Sequence, residues 1–587
     1  MAKWVVISKR ADFEGIAQRF NIDKVIARIL RNRDLVTDEE IDYFLNGTAD
    51  DLHAPELMKD MEKASGILSE AVRNGKHIRI MGDYDVDGIC STYILLRGLR
   101  SIGAFVDTVI PHRIKDGYGI NDDMIRTAKE EGVDLILTCD NGISAYSQIE
   151  LAKSMGIDVI VTDHHEVPYD EKDGVRTYLV PEALAVVDPK QEDCDYPFKS
   201  ICGAFVAFKL ISLMPCKNKD ELLDELLPFA ALATVCDVME LTDENRILVR
   251  EGLHMMSRTT NCGLRALINV SGLSDDEIST YHAGFVLGPC LNATGRLDSA
   301  GRALELFDSD SYEDAVLIAN ELKELNESRK KMTEDGAQKA YELIENSDMS
   351  NDRVLVVYLE DTHESLAGII AGRIKEKYHK PCFVVTKSEE GLKGSGRSIE
   401  AYDMYEALTG VKQLFTKFGG HKMAAGISLS DISKLDDMRR MLNQNCRLTD
   451  DDMQEKIKID VPMPLSYVSE KLTESLEILS PFGTGNPRPV FATSGITLIS
   501  YTKLGKNMNV GKFKVKDVTD RRYDMIYFGE LDEFEEYIIR KFGQEALDSI
   551  TNGNPSPVPV AIDIVYYPQI NEYKGQRNLQ IVMNHYK

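Results

Sequence analysis

From about residue 76 to 190, short apolar runs alternate with longer stretches whose apolar positions recur with helical spacing. HIRIM (77–81), FVDTVI (105–110), DLILTC (134–139), DVIVT (158–162) and LAVV (184–187) have the length and β-branched content of strands. ICSTYILLRGLRSI, NDDMIRTAKEEG and AYSQIELAKSMG lie between them and read as amphipathic helices. Such alternation predicts βαβ units and a parallel sheet covered on both faces. A mostly helical stretch follows at roughly 200–345, and its end (311–346) has no Pro and one Gly. That end is expected to form one or two long connecting helices. A second α/β segment begins with RVLVVYLE (353–360) and PCFVVTK (381–387) and runs to about 445. The remainder, about 455–587, is rich in short strands punctuated by Gly, Pro and Asn, which predicts a terminal β-barrel.

At 587 residues the chain is too long for a single core, in keeping with this division. With 43% apolar and 28% charged residues it has the composition of a soluble globular protein. The opening MAKWVVISKRADFEG has no long apolar segment, so no secretory leader is expected, and no apolar run is long enough to span a membrane. The ten cysteines form no CxxC pair, which argues against a zinc knuckle or a thioredoxin-like motif. They are expected to be small buried hydrophobes in a reducing cytoplasm. The net charge of −27 weighs against nucleic-acid binding, because phosphate contacts need Lys and Arg. Net charge describes an average surface rather than a cleft, however. Many carboxylates lie in solvated runs such as LTDDDMQE (448–455) and ELDEFEE (530–536).

The candidate chemistry sits where the expected parallel strands end. The first strand is followed by GDYDVDG with Asp83, Asp85 and Asp87, the third by Asp140, and the fourth by Asp163, His164 and His165. In an open parallel sheet, ligands bind outside the carboxyl ends of the strands, so these groups converge on one edge. Clustered carboxylates raise one another's pKa unless cations neutralise them. Oxygen ligands with one or two imidazoles suit Mn²⁺ or Mg²⁺. Two such ions about 3.5–4 Å apart can activate a water and stabilise a leaving oxygen in phosphoryl hydrolysis.

DYDVDG (83–88), TCDNG (138–142), DHH (163–165) and ATVCDVMELTDENR (233–246) resemble the four motifs of the DHH phosphoesterase family. The resemblance implies two metal ions held by Asp85, Asp87, Asp140, His164 and Asp237, with Asp140 bridging and Asp83 in or beside the ligand set. It implies His165 at the scissile phosphate and Asp163 orienting the histidines. Met81 stands where many relatives carry a His. Other segments resemble the RecJ branch of that family. PHRIKDGYGI (111–120) implies Arg113 as a phosphate contact; CGAFVAFKL (202–210) and GPCLNATGRLDSAGRALEL (288–306) add Asn292 and Arg296, with Cys290 where relatives usually carry Arg. GSGRS (394–398) and GGHKMAAG (419–426) resemble the DHHA1 companion domain and point to Ser395, Arg397 and His421. THESLAGIIAGR (362–373) resembles the segment before it, with Thr362 and Ser365 replacing the usual Trp and Gly.

PFGTGNPRPVF (481–491) and NEYKGQRNLQ (571–580) resemble the edges of an OB-fold. Lys503, Lys506, Lys512, Lys514 and Lys516 are candidates to line its groove, and Phe482 and Tyr501 to be either core or stacking platform. The expected architecture is α/β: a parallel-sheet DHH domain joined by a long helix to a second α/β (DHHA1) domain, plus a C-terminal OB-fold barrel. The boundaries expected are 1–50 (N-terminal extension), 51–265, 266–349, 350–450 and 451–587. The resemblance implies a monomeric 5′→3′ exonuclease for single-stranded DNA, with a helicase and a single-strand-binding protein as partner classes. The alternatives are a nanoRNase or small-phosphoester phosphodiesterase of the same family, or a scaffold that has lost catalysis.

Overall fold

The computed structural model describes residues 2–587 except 114, 115, 118, 173, 275, 276, 298, 389, 390, 574 and 575. Three residues of PHRIKDGYGI (Ile114, Lys115 and Tyr118) and two residues of NEYKGQRNLQ therefore lie outside the described residues. The chain forms two compact units. One comprises Thr48–Met453 with Gly483–Gly485; the other comprises Met1–Gly47, Gln454–Phe482 and Asn486–Lys587.

The first unit opens with the predicted parallel sheet, made of β1 (His77–Met81), β2 (Phe105–Val109), β3 (Leu135–Cys139), β4 (Asp158–Thr162) and β5 (Ala185–Val187). Its spatial order is β2-β1-β3-β4-β5, and every pairing is parallel. β1 and β3 are buried along their whole length, which is why they read as continuous apolar runs rather than alternating ones. Chain direction across the sheet reverses between β1 and β3. A crevice opens at such a switch point, beyond the carboxyl ends of the strands.

Helix α1 (Val86–Ser101) leaves β1 and is buried almost all round, because α2 (Gly203–Leu213) and α3 (Lys219–Cys236) pack against it. A short helix, α4 (Gly288–Leu297), precedes the long connector. That connector is a single 34-residue helix, α5 (Tyr312–Glu345). It leads to a mixed sheet ordered β9-β10-β8-β7-β6, with β6 (Leu355–Tyr358), β7 (Cys382–Ser388), β8 (Gly391–Arg397), β9 (Lys417–His421) and β10 (Ala424–Leu429). Helix α6 (Ala367–Tyr378) packs on β7 and β8. The two glycine clusters lie on paired strands: Ser395 is opposite Gly426, and Gly426 is opposite Gly419.

In the second unit, β11 (Phe491–Leu504), β12 (Val510–Lys516), β13 (Arg522–Tyr527), β14 (Ala561–Tyr573) and β15 (Gln576–Tyr586) form a barrel closed by the β11–β14 pairing. Residues 1–47 carry no motif, yet Ile26, Ile29, Leu30 and Ile41 share one apolar core with the barrel's Phe491, Phe513 and Ile562. All ten cysteines are free, and six of them are buried. Among the described residues no helix is long and apolar enough to cross a membrane.

Candidate metal centre and anion pocket

The residues after β1 form a tight turn whose carboxylates are held by backbone. Asp85 caps α1, accepting from the N–H groups of Asp87 (3.0 Å) and Gly88 (3.1 Å). Asp87 accepts from the N–H groups of Gly203 and Ala204, both at 2.7 Å, at the start of α2. A helix N-terminus favours a carboxylate, so this contact fixes the position of Asp87. Only a glycine allows that approach at 203: a methyl group there would sit 2.8 Å from Asp140 Cβ and 3.1 Å from Asp87 Oδ2. Asp140 itself has φ +58, a conformation rare outside glycine and frequent at functional sites.

Three groups of ligand atoms converge, each with its atoms within 4.8 Å of one another: Asp83, Asp85 and Asp140; Asp87, His164 and Asp237; and Asp140, His164 and His165. Asp140 belongs to two of the three. Nε2 of His164 lies 3.1 Å from Asp140, 3.4 Å from Asp87 and 3.7 Å from Asp237. Asp237 enters as the C-cap of α3. Asp163 is buried and accepts from the N–H groups of Ile143, His164 and His165 and from Nδ1 of His165 at 2.7 Å. It thus fixes the His165 ring. Met81 is fully buried in β1 and offers no ligand.

Burial, then the neighbouring carboxylates, pushes Asp83 and Asp237 up to about 8 from the ordinary 3.8. Burial raises Asp87 and Asp140 in the same direction, Asp140 with Asp87, Asp85 and Asp83 adding to it. Asp163 behaves oppositely: burial opposes ionisation, but the His165 hydrogen bond, the charges of His165 and His164 and the Ile143 N–H together outweigh it, and its value is lowered. For His165, burial disfavours the cation, yet the bond to Asp163 and the surrounding carboxylates carry it up to about 9. Oδ1 of Asp83, Oδ2 of Asp237 and Nδ1 of His164 are buried with no hydrogen-bond partner among the described residues. Buried carboxylate oxygens of this kind are costly unless a cation meets them. The donor set, carboxylate oxygens with one or two imidazoles, fits Mn²⁺ or Mg²⁺.

Tyr84 stands between Asp83 and Asp85 and also lines a cavity of about 430 Å³ with Arg113, Arg296, Ser365, Lys393, Ser395 and Arg397. Gly419 and Gly426 line it too, and a methyl group on either would meet nothing within 4 Å, so their pairing leaves the wall free of side chains. Arg113 lies over the Tyr84 ring at 4.8 Å. Arg397 donates to Ser395 Oγ and the Gly396 carbonyl, and Arg296 donates to the Ser365 carbonyl at 2.6 Å. Burial, then repulsion from Arg113, Arg329 and Arg397, lowers Arg296 to about 9. Arg397 is lowered by burial and by Arg113. Glu364 also lines the cavity and pairs with Lys393 at 3.2 Å, while no salt bridge to Arg113, Arg296 or Arg397 is found among the described residues, so the cavity carries an excess of positive charge suited to an anion.

Residues 77–234 match the model of the DHH family N-terminal domain, 351–448 that of the DHHA1 domain, and 459–585 that of the RecJ OB domain. The chain is 33% identical over 555 residues to the single-stranded-DNA-specific exonuclease RecJ of Escherichia coli, covering 90% of each. The chain belongs to the RecJ family. It is also 35% identical over 526 residues to the RecJ exonuclease of Bacillus subtilis, covering 89% of this chain and 65% of that longer relative. The crystal structure of Thermus thermophilus RecJ in complex with Mn²⁺ matches with a TM-score of 0.79 at 26% identity, over 100% of this chain and 79% of that one. The same RecJ has been solved with Mg²⁺.

Asp83, Asp85, Asp87, Asp140, His164, His165 and Asp237 thus come together, and Arg113, Arg296, Ser395 and Arg397 gather beside them. Asn292 lies one turn before Arg296 on α4, and His421 is exposed at the end of β9; neither lines the cavity. Four contributors lay in quoted motifs but were given no site role from the sequence: Gly203, Ser365, Gly368 and Tyr84. Ser365 Oγ donates to the Arg296 carbonyl at 3.2 Å and is 2.7 Å from Nδ1 of His363. A methyl group on Gly368 would press to 2.9 Å on both Arg397 Nη2 and Ser395 Oγ. Cys290, where an Arg was expected, is buried and accepts from Asn326, whose carbonyl oxygen holds Arg329 of α5 at 2.9 and 3.1 Å.

In the barrel, Tyr501 is buried and stacks on Phe513 at 4.9 Å, so it is core rather than platform. Phe482 is half-buried under the Arg488 guanidinium. Lys503 is paired with Asp532 and Glu535, and Lys516 with Asp520. Lys506 is exposed in the turn after β11. Lys512, Lys514 and Lys516 share the outward face of β12. Lys514 joins Lys471, Arg521, Arg522 and Tyr523 around a cleft of about 790 Å³.

Proposed function

We propose that the chain is a divalent-metal-dependent exonuclease that degrades single-stranded DNA from the 5′ end to 5′-mononucleotides, in DNA repair and recombination. The observation that carries this reading is the adjacency of two charge clusters that share Tyr84, one acidic and one basic. Mn²⁺ or Mg²⁺ bound by Asp85, Asp87, Asp140, His164 and Asp237, with Asp83 alongside, supplies Lewis acidity and a water of lowered pKa. Asp140, shared between two of the ligand groups, would serve both ions.

The chain's own residues do the positioning. Arg113, Arg296 and Arg397 take the terminal 5′ phosphate, with the Ser395 hydroxyl as a further donor, because planar guanidiniums match phosphate oxygens in pairs. His165, cationic and held by Asp163, donates to the scissile phosphate and offsets charge that builds there. Only an unpaired end can place its terminal phosphate among the arginines while the next phosphodiester meets the carboxylates. The OB-fold barrel supplies a surface for further nucleotides, with Lys512 and Lys514 as cations. A monomer in the cytoplasm, served by a helicase and a single-strand-binding protein, fits this activity. A small-phosphoester phosphodiesterase would leave the barrel without a task, and an inactive scaffold would not need the complete set of carboxylates.

The test is digestion of one sequence as single strand and as duplex, with Mn²⁺, Mg²⁺ or chelator. Mononucleotides should be released from the single strand with either ion and from neither substrate in chelator. Preferential duplex digestion, or hydrolysis that survives chelation, would reject the proposal.

A further inference from the structure

We propose that the arginine cavity accepts more than a single terminal phosphate: a row of Lys393, Ser428 and Lys417 on its wall holds the further phosphates of a 5′-triphosphorylated strand. This rests on the single-strand exonuclease reading and adds a second class of strand end to it. The cavity measures about 430 Å³. Pockets that take whole small molecules run from about 300 to 1,000 Å³, so one phosphate leaves much of it unfilled.

Strand register arranges the wall. Along β8, Lys393, Ser395 and Arg397 alternate with glycines and so share one face of the sheet. Residues paired across antiparallel strands share that face as well. Ser395 is opposite Gly426, which is opposite Gly419; two residues away, Lys393 is opposite Ser428, which is opposite Lys417. All six line the cavity. The wall therefore has two rows, about 7 Å apart at 3.4 Å per residue. The first begins at the arginines, since Ser395 Oγ accepts from Arg397 at 3.2 Å. From Ser395 to Lys417 the backbone crosses two strand spacings and two residues, about 12 Å in all. Between them Gly419 and Gly426 leave open space, where a methyl group would meet nothing within 4 Å. A phosphate held by Arg397 and Ser395 occupies one end of this face; a chain of further phosphates covers the rest.

The charge runs the same way. Glu364 offsets Lys393, but Lys417 is exposed and has no ion pair among the described residues. Arg113, Arg296, Arg397 and Lys417 are thus the excess cations of the cavity. They exceed the charge of about −1.5 to −2 on a terminal monophosphate, and a triphosphate matches them more closely. The hydrolysis itself is unchanged. Water adds to the phosphorus between the first two nucleotides, the bond from that phosphorus to the 3′ oxygen breaks, and the oxygen leaves with a proton on a nucleoside 5′-triphosphate. The remaining strand carries an ordinary 5′ phosphate, so only the first turnover differs.

The experiment compares one DNA sequence bearing a 5′ hydroxyl, monophosphate or triphosphate. Binding to the full chain is read by anisotropy in excess chelator, and the first product by chromatography with Mn²⁺. The triphosphate should bind about ten-fold tighter than the monophosphate, and the first product should be an intact nucleoside triphosphate. Lys417→Gln should abolish that advantage while the monophosphorylated strand binds as before; Lys417→Arg should keep it. Wild type that binds the triphosphate no better, an advantage that survives Lys417→Gln, or pyrophosphate as the first product overturns the inference. A free nucleoside triphosphate that competes as strongly as the triphosphorylated strand, through Lys417, assigns the row to free nucleotides and overturns its role at a strand end. If wild type digests no single strand with Mn²⁺, the exonuclease reading falls as well; if it digests the monophosphorylated strand and gains nothing from the triphosphate, only this inference falls.

Discussion

The carboxylate centre and the arginine cavity meet at Tyr84, and each concentrates an excess of charge of opposite sign. In the centre, burial drives Asp83 and Asp237 up to about 8. In the cavity, burial and like charge drive Arg296 down to about 9. Both shifts run toward neutrality, which is what buried groups do when no partner offsets their charge. Arg79 provides the contrast within the same unit. It too is buried, but it is bonded to Asp107 and Glu131, and its value is raised rather than lowered. A structural charge such as Arg79 is therefore paired, whereas the two clusters at Tyr84 suit ligands of opposite sign, and the proposed function puts cations in one and phosphate in the other. A net charge of −27 says nothing of this, because the cavity concentrates guanidiniums that the average surface lacks.

The sharpest break in the comparison is removal of the shared carboxylate. Asp140→Ala should lower hydrolysis by at least about a hundred-fold, beyond the usual cost of losing an outer partner of a metal ligand. Its fold should persist by circular dichroism. Retention of more than a few per cent of activity at saturating Mn²⁺ would mean that Asp140 is not the bridging ligand.

The acidic cluster also makes metal affinity depend on pH. In the metal-free chain, a carboxyl at about 8 keeps its proton when folded, whereas unfolded it would lose that proton near 3.8. Between those values the folded state binds more protons, so these groups contribute less stability as pH rises. Cations displace the protons, and the apparent Mn²⁺ affinity should rise by about ten-fold per pH unit for each displaced proton, levelling above about 8. Thermal-shift titrations with Mn²⁺ across that range would read this directly. A pH-independent midpoint would show that the carboxyls are already ionised.

The basic cluster predicts a smaller effect of the same clarity. Arg397→Ala removes a charge-assisted contact worth about 1.5–3 kcal/mol. Digestion of 5′-phosphorylated strands should slow about ten-fold or more, and their advantage over 5′-hydroxyl strands should narrow. An unchanged preference would place the terminal phosphate elsewhere. Smaller still, Lys512→Gln and Lys514→Gln on the barrel should each reduce the salt dependence of single-strand binding by about 0.7 in log–log slope. Slopes equal to wild type would make that face an ordinary solvated surface.

Apart from Asp237, which the C-terminus of α3 supplies and only the resemblance pointed to, the acidic cluster was legible in the sequence because one physical rule assembles it. Parallel strands end on a common edge, and the motifs after β1, β3 and β4 carry its carboxylates and imidazoles to the switch point. The basic cavity was legible only by resemblance. Arg113, Arg296 and Arg397 come from a loop, a helix and a strand in separate parts of the unit, and no local period relates them. For the same reason Asn292 and His421, singled out by their motifs, could not be tied to the cavity, which neither lines, and the contact of Ser365 with Arg296 could not be foreseen. Gly203 was visible as a glycine opening an apolar helix, but its reason, the approach of Asp140 and Asp87, is tertiary. Residues 1–47 gave no functional signal because their apolar positions serve the barrel's core.

The central claim, that a 5′ phosphate sits in the arginine cavity while the adjacent phosphodiester meets the carboxylates, is tested most directly by following single strands labelled at one end or the other. With Mn²⁺ present, a 5′-phosphate label should appear as a mononucleotide from the first turnovers, while a 3′ label stays on shortening fragments until late. Early release of the 3′ label, with the 5′ end intact, would contradict the account.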